Sequence, residues 1–428
     1  MRRPASPLAL PSARPLALAL AGAALYLLTA TGPADAAALS RPDLTGWIDL
    51  RAAYSDADRE WLDGGFSKTR YGSVDGEGTD AELAEATLLW TPTFSSSWSG
   101  HFHVQAGPDQ GSALGPVETF IRYRTLPKAG WRLSARAGRY YPLVSLEHDG
   151  PAWGLTRTLT PSAINSWIGE EVAITGVEAR AAKRFGAHHL DLRLGGFGYN
   201  DTAGTLLAYR GWALHDIKTT AGGRFLIPDD DARRALIPLQ AERTKPFKEV
   251  DGRVGVTLTA KWQYTDRITL LATGYDNRGD PLELKDGQYS WATRFANGGL
   301  KVRLTDETEF LAQAMIGETA MGPRSSATGW RLYDVEYSSA YGLVNHQLSE
   351  NQNLAVRVEY FETNERGFTG LAPGESGWSM AVAGRRTLSE ALEAGVEALY
   401  VDHDGGNDLA SAGNVQDVQL QLHLRVSF

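Results

Sequence analysis

The sequence predicts an all-β protein, a single closed antiparallel transmembrane β-barrel of about sixteen strands. Three observations predict it: apolar and polar side chains alternate along most of the chain, an export signal precedes them, and short connections alternate with long ones. A period of two is typical of strands with one apolar and one polar face. In a membrane barrel, the apolar face contacts lipid and the polar face lines the interior.

The first 36 residues have the composition of a cleaved secretory signal. Three arginines supply the positive end, and the apolar run at 16–28 is too short to span a bilayer. The small residues Ala34 and Ala36 then fit a signal-peptidase site. We therefore expect residues 1–36 to be removed and residues 37–428 to form the barrel.

Composition and charge exclude several other classes of protein. The chain has 12 Trp, 16 Tyr, 46 Gly and no Cys, so neither disulfides nor thiol chemistry is expected. After the signal, no apolar run is long enough for a transmembrane helix. The net charge is −9, and removing the signal's three arginines and one aspartate leaves about −11, which argues against a nucleic-acid partner.

The carboxyl-terminal segment has the clearest strand pattern. Val418, Leu420, Leu422 and the following alternate residues up to Phe428 are apolar, and the residues between them are polar. The same alternation recurs at about the length that a tilted membrane strand needs. Strands are predicted near residues 44–54, 83–91, 98–106, 116–125, 130–140, 171–183, 188–199, 253–264, 267–276, 290–304, 308–317, 329–343, 354–361, 377–387, 391–402 and 418–428.

The connections between these strands are alternately short and long. The long ones are rich in Gly, Asp and Pro, and the longest lie at 55–80, 141–170 and 200–251. This asymmetry is typical of a barrel with short periplasmic turns and long outer loops. The segment 200–251 is counted as one long outer loop, although residues 206–217 are apolar enough for a short helix or strand.

Closure of the barrel follows from the bilayer, because backbone groups in hydrocarbon cannot hydrogen-bond to water. Side chains alone do not fill a barrel of about sixteen strands, so an aqueous channel is expected unless loops fill it. We expect a pore in the outer membrane of a Gram-negative bacterium for passive diffusion of small polar or charged solutes. Its expected partners are outer-membrane lipid and those solutes.

The predicted loop 141–170 contains two tryptophans and several aliphatic residues, too many for a solvated loop. We expect it to fold into the barrel and narrow the lumen. That fold would bring Glu147, Asp149, Glu170 and Glu171 near the pore. The alternative is a cap packed over the barrel rim.

Four arginines share the lumen-facing parity of two neighbouring strands: Arg122, Arg124, Arg132 and Arg136. Together they predict a basic wall. Facing the acidic loop, such a wall would create a transverse field, and rings of charge set ion preference in pores. The alternative is an ordinary polar lining.

A resemblance to a known family is found around the end of the fifth predicted strand. The segment Gly-Arg-Tyr-Tyr-Pro-Leu-Val-Ser-Leu-Glu at 138–147 resembles a conserved segment of the phosphate-selective porins O and P, and residues 157–161 and 176–178 look like its continuation. The resemblance implies a sixteen-stranded, channel-forming barrel that assembles as a homotrimer. It does not extend to that family's basic ladder, so it implies no phosphate preference.

Catalytic and metal sites are not predicted. His101 and His103 share one strand face, but two ligands with a speculative third in His423 do not make a metal site. The acidic run 229–231 lacks the spacing of a calcium loop. No nucleophile motif is present, so we expect neither an enzyme nor a cofactor. The alternative functions are a receptor or adhesin that uses loops 55–80 and 200–251, and a soluble all-β periplasmic protein.

Overall fold

In a computed structural model, the chain forms one closed antiparallel barrel of sixteen strands. The structure describes residues 43–73, 77–107, 110–111, 114–228, 235, 237–367, 374–404 and 414–428. The predicted signal peptide and the acidic run 229–231 lie outside these residues. The barrel strands are β1 Leu44–Ser55, β2 Gly78–Trp90, β3 Trp98–Ala106, β4 Leu114–Arg124, β5 Trp131–Tyr140, β6 Ile174–Phe185, β7 His188–Gly198, β8 Gly255–Tyr264, β9 Ile268–Asp276, β10 Ala292–Arg303, β11 Thr308–Arg324, β12 Arg331–Ser349, β13 Gln352–Glu365, β14 Glu375–Ser389, β15 Leu392–Asp404 and β16 Asn414–Ser427.

The barrel closes through its first and last strands. β1 pairs with β16 from Trp47 opposite Ser427 to Ser55 opposite Gln419, and Gly46 donates its backbone N–H to Phe428. Closure leaves no unpaired sheet edge. The predicted fold class is confirmed.

β11 and β12 continue past their predicted ends, to Arg324 and Ser349. In the extension of β11, the polar residue Glu318 occupies an outward-facing position. The apolar alternation therefore stops before the strands do, and the sequence pattern could not show the extra length.

The two faces of the wall differ as a membrane barrel requires. Outward-facing Leu258 and Leu422 are 63% and 61% exposed, whereas inward-facing Gln419 and Gln421 are buried. Apolar side chains that remain exposed on a continuous belt are suited to contact with lipid. The predicted orientation of the carboxyl-terminal strand is therefore present in the structure.

The barrel interior is much more filled than the sequence suggested. Three long connections, 56–73, 141–172 and 199–251, send side chains into it, and two helices lie there: α1 Ala163–Glu171 and α2 Thr205–Arg210. All residues of both helices are buried. None of the helices in the described ranges is long and apolar enough to cross a membrane.

An apolar core lies inside the barrel between these loops and the wall, with wall residues on β4 to β7 and on β9 to β15. We define the apolar core by its main loop residues and wall residues, which are Tyr141, Ile164, Trp167, Leu207, Trp212, Leu214, Tyr275, Phe295, Met315, Tyr337, Tyr341, Phe361 and Leu399. Large inward-facing apolar residues on these strands require a partner, and the loops supply it. The loops therefore fill this part of the interior, so an aqueous channel in the barrel is narrower than the wall alone would allow.

Segment 200–251 is a single connection between β7 and β8, as the strand count requires. Its apolar part forms helix α2 and then an extended stretch inside the barrel, where Leu206, Leu207 and Leu214 are fully buried. Phe225–Leu226 and Arg243–Thr244 pair as a small two-stranded sheet. The first part of this connection thus folds into the barrel, which the sequence did not predict.

Candidate pore constriction

The loop 141–172 folds into the barrel, where Glu147 fixes the start of α1. Ser162 precedes α1 and caps it through its side chain. Glu147 accepts hydrogen bonds from the Ser162 backbone N–H at 3.0 Å and from its hydroxyl at 2.6 Å, and Arg357 of β13 lies 3.2 Å away. A carboxylate at a helix N-terminus is electrostatically favourable. Glu147 is thus buried at the place where the loop is attached to the barrel wall.

Glu170 and Glu171 join α1 to the second inward loop. Glu170 forms a two-point ion pair with Arg210 at the end of α2, both distances being 2.8 Å. Glu171 accepts hydrogen bonds from the backbone N–H groups of Gly204 at 3.0 Å and Leu206 at 3.1 Å. Burial, and then the neighbouring charge of Glu170, raise the pKa of Glu171 to about 7. Both carboxylates are fully buried, so neither lines an open lumen.

Asp149 differs from these three acids because its side chain is 40% exposed. Arg157 lies 2.7 Å from its carboxylate, and Lys301 of β10 lies 3.3 Å from it. Burial acts to raise the pKa of Asp149, but the hydrogen bonds and charge of Arg157 outweigh it and lower the pKa to about 2. Among the four predicted loop acids, Asp149 alone is in a position to meet a solute.

The four predicted arginines lie on the lumen side of β4 and β5. Arg122 stands directly opposite Arg136 in the register, and Arg124 and Arg132 are exposed nearer the short turn. Arg136 lies 3.0 Å from Glu178 of β6. Three further cations on the same wall were not predicted, although they occupy inward-facing positions of β6 to β8 that the alternation indicates: Arg180, Arg193 and Lys261.

Charged residues from two strands and two loops meet beside β1 and β2, which contribute no residue to the apolar core. Arg51 of β1 lies 2.6 Å from Asp216, Arg70 lies 2.8 Å from Asp216, and Lys218 lies 2.7 Å from Glu85 of β2. We call these five residues the polar seam. The sequence analysis missed it because Asp216 and Lys218 belong to the connection expected outside the barrel.

Two small cavities adjoin the polar seam, and both contact Glu85 and Asp216. The periplasmic-side cavity measures about 20 Å³ and is also lined by Trp153, Arg385 and Arg425. The outer-side cavity measures about 10 Å³ and is lined by Gln105, Gly107 and Gln110 among others. Each is large enough for about one water molecule. The two cavities thus lie on either side of buried, ion-paired residues of the polar seam.

The histidines considered for metal binding are not brought together as a triad. His101 lies 3.7 Å from Glu118, His423 lies 3.3 Å from Asp49, and β1 and β2 separate the strand of His423 from that of His101 and His103. In the described residues, Asp201, Glu249 and Asp251 have carboxylate oxygens within 4.8 Å of one another. Asp201 accepts a backbone hydrogen bond from Val250 at 2.6 Å, which accounts for its position.

The closed sixteen-stranded barrel, its lipid-facing apolar belt and its inward loops define the class of this molecule: an outer-membrane β-barrel with the porin architecture. Residues 243–428 match a family model described as putative beta-barrel porin-2, OmpL-like. No curated protein matches the chain. The segments that resemble porins O and P lie outside the matched range, so the comparisons support outer-membrane porins in general.

Solved structures with similar folds are outer-membrane proteins. The outer membrane channel DcaP of Acinetobacter baumannii has a TM-score of 0.56 at 12% identity, covering 91% of this chain and 99% of that one. A loop L8 deletion mutant of OmpT from Vibrio cholerae has a TM-score of 0.52 at 7% identity, covering 90% and 98%. OmpF of Salmonella typhi in complex with daunomycin has a TM-score of 0.50 at 11% identity, covering 90% and 97%. At these identities the similarity establishes the fold alone.

Proposed function

We propose that this protein is an outer-membrane porin through which small polar or charged solutes diffuse passively, and that their route opens along the polar seam, where Arg51, Arg70, Glu85 and Lys218 are buried in the arrangement observed. The observation that carries the proposal is the line of charged residues and cavities along one inner wall of a closed barrel. The apolar core, to which β1 and β2 contribute no residue, offers a hydrated solute no comparable surface. The proposal makes the protein a channel and not an enzyme.

Selectivity, in this proposal, arises where cations and carboxylates face each other in the seam. Arg51 and Arg70 both contact Asp216, and Lys218 contacts Glu85. Charged side chains that line a constriction set the ion preference of a pore. The basic wall, which includes Arg122 and Arg136, would then attract anions at the periplasmic mouth of the barrel. Asp149 on the constriction loop would supply the opposing negative charge.

A homotrimer is the assembly we propose. The trimer form of OmpT from Vibrio cholerae, with a TM-score of 0.50 at 7% identity, supports it together with the resemblance to porins O and P. Kinship with porins O and P also remains our proposal, because the chain forms the sixteen-stranded barrel that the resemblance implies. The burial of Trp61, Arg70, Leu207 and Trp212 leaves much of loops 55–80 and 200–251 inaccessible for a receptor or adhesin.

Planar-bilayer recording with the purified full-length mature protein tests the proposal. We expect single-channel conductance in molar KCl and a defined reversal potential in a salt gradient. Asp216→Asn should shift the preference toward anions, because Arg51 and Arg70 lose their shared carboxylate. Lys218→Gln should shift it toward cations, because Glu85 loses its ammonium partner.

Arg294→Gln is the matched control, because Arg294 faces outward and its side chain is 64% exposed. We expect this variant to keep the wild-type reversal potential. Absence of conductance in every preparation, including Trp153→Ala, would contradict the porin proposal. Conductance with a reversal potential unmoved by either seam variant would place the route elsewhere in the barrel.

A further inference from the structure

Trp153 occupies the boundary of the periplasmic-side cavity and has the largest side chain that lines it. Its indole is half-buried and stacks between two rings of the same loop. The ring centroids lie 3.4 Å from His148 and 4.1 Å from Tyr141, with interplanar angles of 7° and 19°. The indole is therefore held as a flat wall beside the polar seam.

The turn that carries Trp153 has a costly backbone conformation. Ala152 and Trp153 have φ values of 50° and 54°, a left-handed region that residues with a Cβ rarely adopt and that is most unusual for a bulky side chain. Gly150 donates its backbone N–H to Gly154 at 3.0 Å, which closes the turn around these two residues. Strained residues persist where surrounding contacts hold them, and they concentrate at functional sites.

Both ends of this turn are attached to other parts of the barrel. On one side, Asp149 is paired with Arg157 and Lys301. On the other, Arg385 of β14 donates to the backbone carbonyl of Leu155 at 2.7 Å. Because the ends are fixed, relaxation of the strain is confined to the residues between them, and Trp153 is the large group that would move.

We propose that Trp153 is the steric gate of the polar seam. The strained turn holds the indole against the seam and limits the path to water-sized cavities, and relaxation of the turn swings the indole away to admit larger solutes. This inference rests on the proposed porin function. It goes further by assigning the size limit to one side chain and its opening to one turn.

Single-channel recording of Trp153→Ala in planar bilayers tests the gate. We expect a severalfold higher conductance than in the wild type and passage of larger organic ions, measured as reversal potentials with tetraalkylammonium chlorides of increasing size. Leu146→Ala is the matched control, because Leu146 lies on the same loop but packs against Gly299 of β10. It should loosen the loop without widening the seam, so its conductance should stay near that of the wild type.

The outcomes separate the gate from the porin function. Equal conductance of the wild type and Trp153→Ala would overturn the gate while the porin proposal stands, and so would an equal increase in Leu146→Ala. Conductance in Trp153→Ala with a silent wild type would support both. Silence of both proteins in folded, bilayer-inserted form would overturn both.

A second variant tests the role of backbone strain. Glycine adopts positive φ without steric cost, so Ala152→Gly should favour the turn as observed and lower the frequency of opening. The two substitutions thus have opposite predicted effects on current. More frequent opening in Ala152→Gly would overturn the role assigned to strain.

Discussion

At the scale of single residues, Glu171 illustrates how burial changes the task of a carboxylate. From the sequence, Glu171 was expected to be a charge near the pore. In the structure it accepts hydrogen bonds from Trp167 and from two backbone N–H groups at the start of α2. Burial and the adjacent Glu170 favour its protonated form. Its hydrogen bonds connect the two inward loops.

This environment predicts an unusual dependence of stability on pH. The pKa of Glu171 rises from its ordinary value of 4.5 to about 7 on folding, so the folded state binds the proton more tightly than the unfolded state. Its stabilising contribution is complete below the unfolded pKa and is lost as the pH rises through 7. We expect Glu171→Gln to reduce the fall in unfolding free energy between pH 5 and pH 8 by up to about 3 kcal/mol.

Urea unfolding in lipid vesicles at several pH values measures this effect. Glu350→Gln is the control, because Glu350 is exposed in the turn between β12 and β13. The control should keep the wild-type pH dependence. If Glu171→Gln keeps it as well, the acid does not titrate in this range.

At the scale of elements, α1 depends on aromatic packing more than on helix propensity. Trp167 is 1% exposed and meets Trp212, Phe295 and Tyr337 edge-on, with ring centroids 6.1, 5.6 and 5.3 Å away. Such pairs add to the free energy of apolar burial. Contacts from two wall strands and the second inward loop therefore converge on one indole of α1.

Removing that indole should destabilise the folded barrel. We expect Trp167→Ala to lower the unfolding free energy by about 3–5 kcal/mol, because it removes a large buried ring and leaves a cavity. Trp98→Ala is the control, since Trp98 faces outward and is 48% exposed. Urea titration of both variants in vesicles measures the difference, and equal losses would show that the ring has no special role in packing the loop.

At the scale of the whole molecule, the barrel depends on an outer surface that is compatible with hydrocarbon. Leu258 lies in this belt and points away from the interior. We expect Leu258→Arg to cost about 2–4 kcal/mol of folding free energy, because the guanidinium would enter the bilayer near its middle. Leu304→Arg, in the short turn between β10 and β11, should cost much less.

Refolding into vesicles followed by urea titration compares these two variants. Equal destabilisation would mean that the surface around Leu258 does not face lipid. Cooperative folding of both variants in aqueous buffer, with equally small losses, would favour a soluble β protein, the third class considered from the sequence. The experiment therefore tests the membrane orientation of the whole barrel.

The amino-acid sequence by itself determined the barrel, because alternation with a period of two and the asymmetry of connections are local properties of the chain. It also predicted an inward loop at 141–170 from that loop's tryptophans. Only the tertiary structure showed that Asp216 meets Arg51 and Arg70, since contacts between residues so far apart in sequence depend on how loops pack inside the wall. Alternation shows which side chains point inward, but it does not show which inward groups touch, and so the polar seam and its gate could not be predicted.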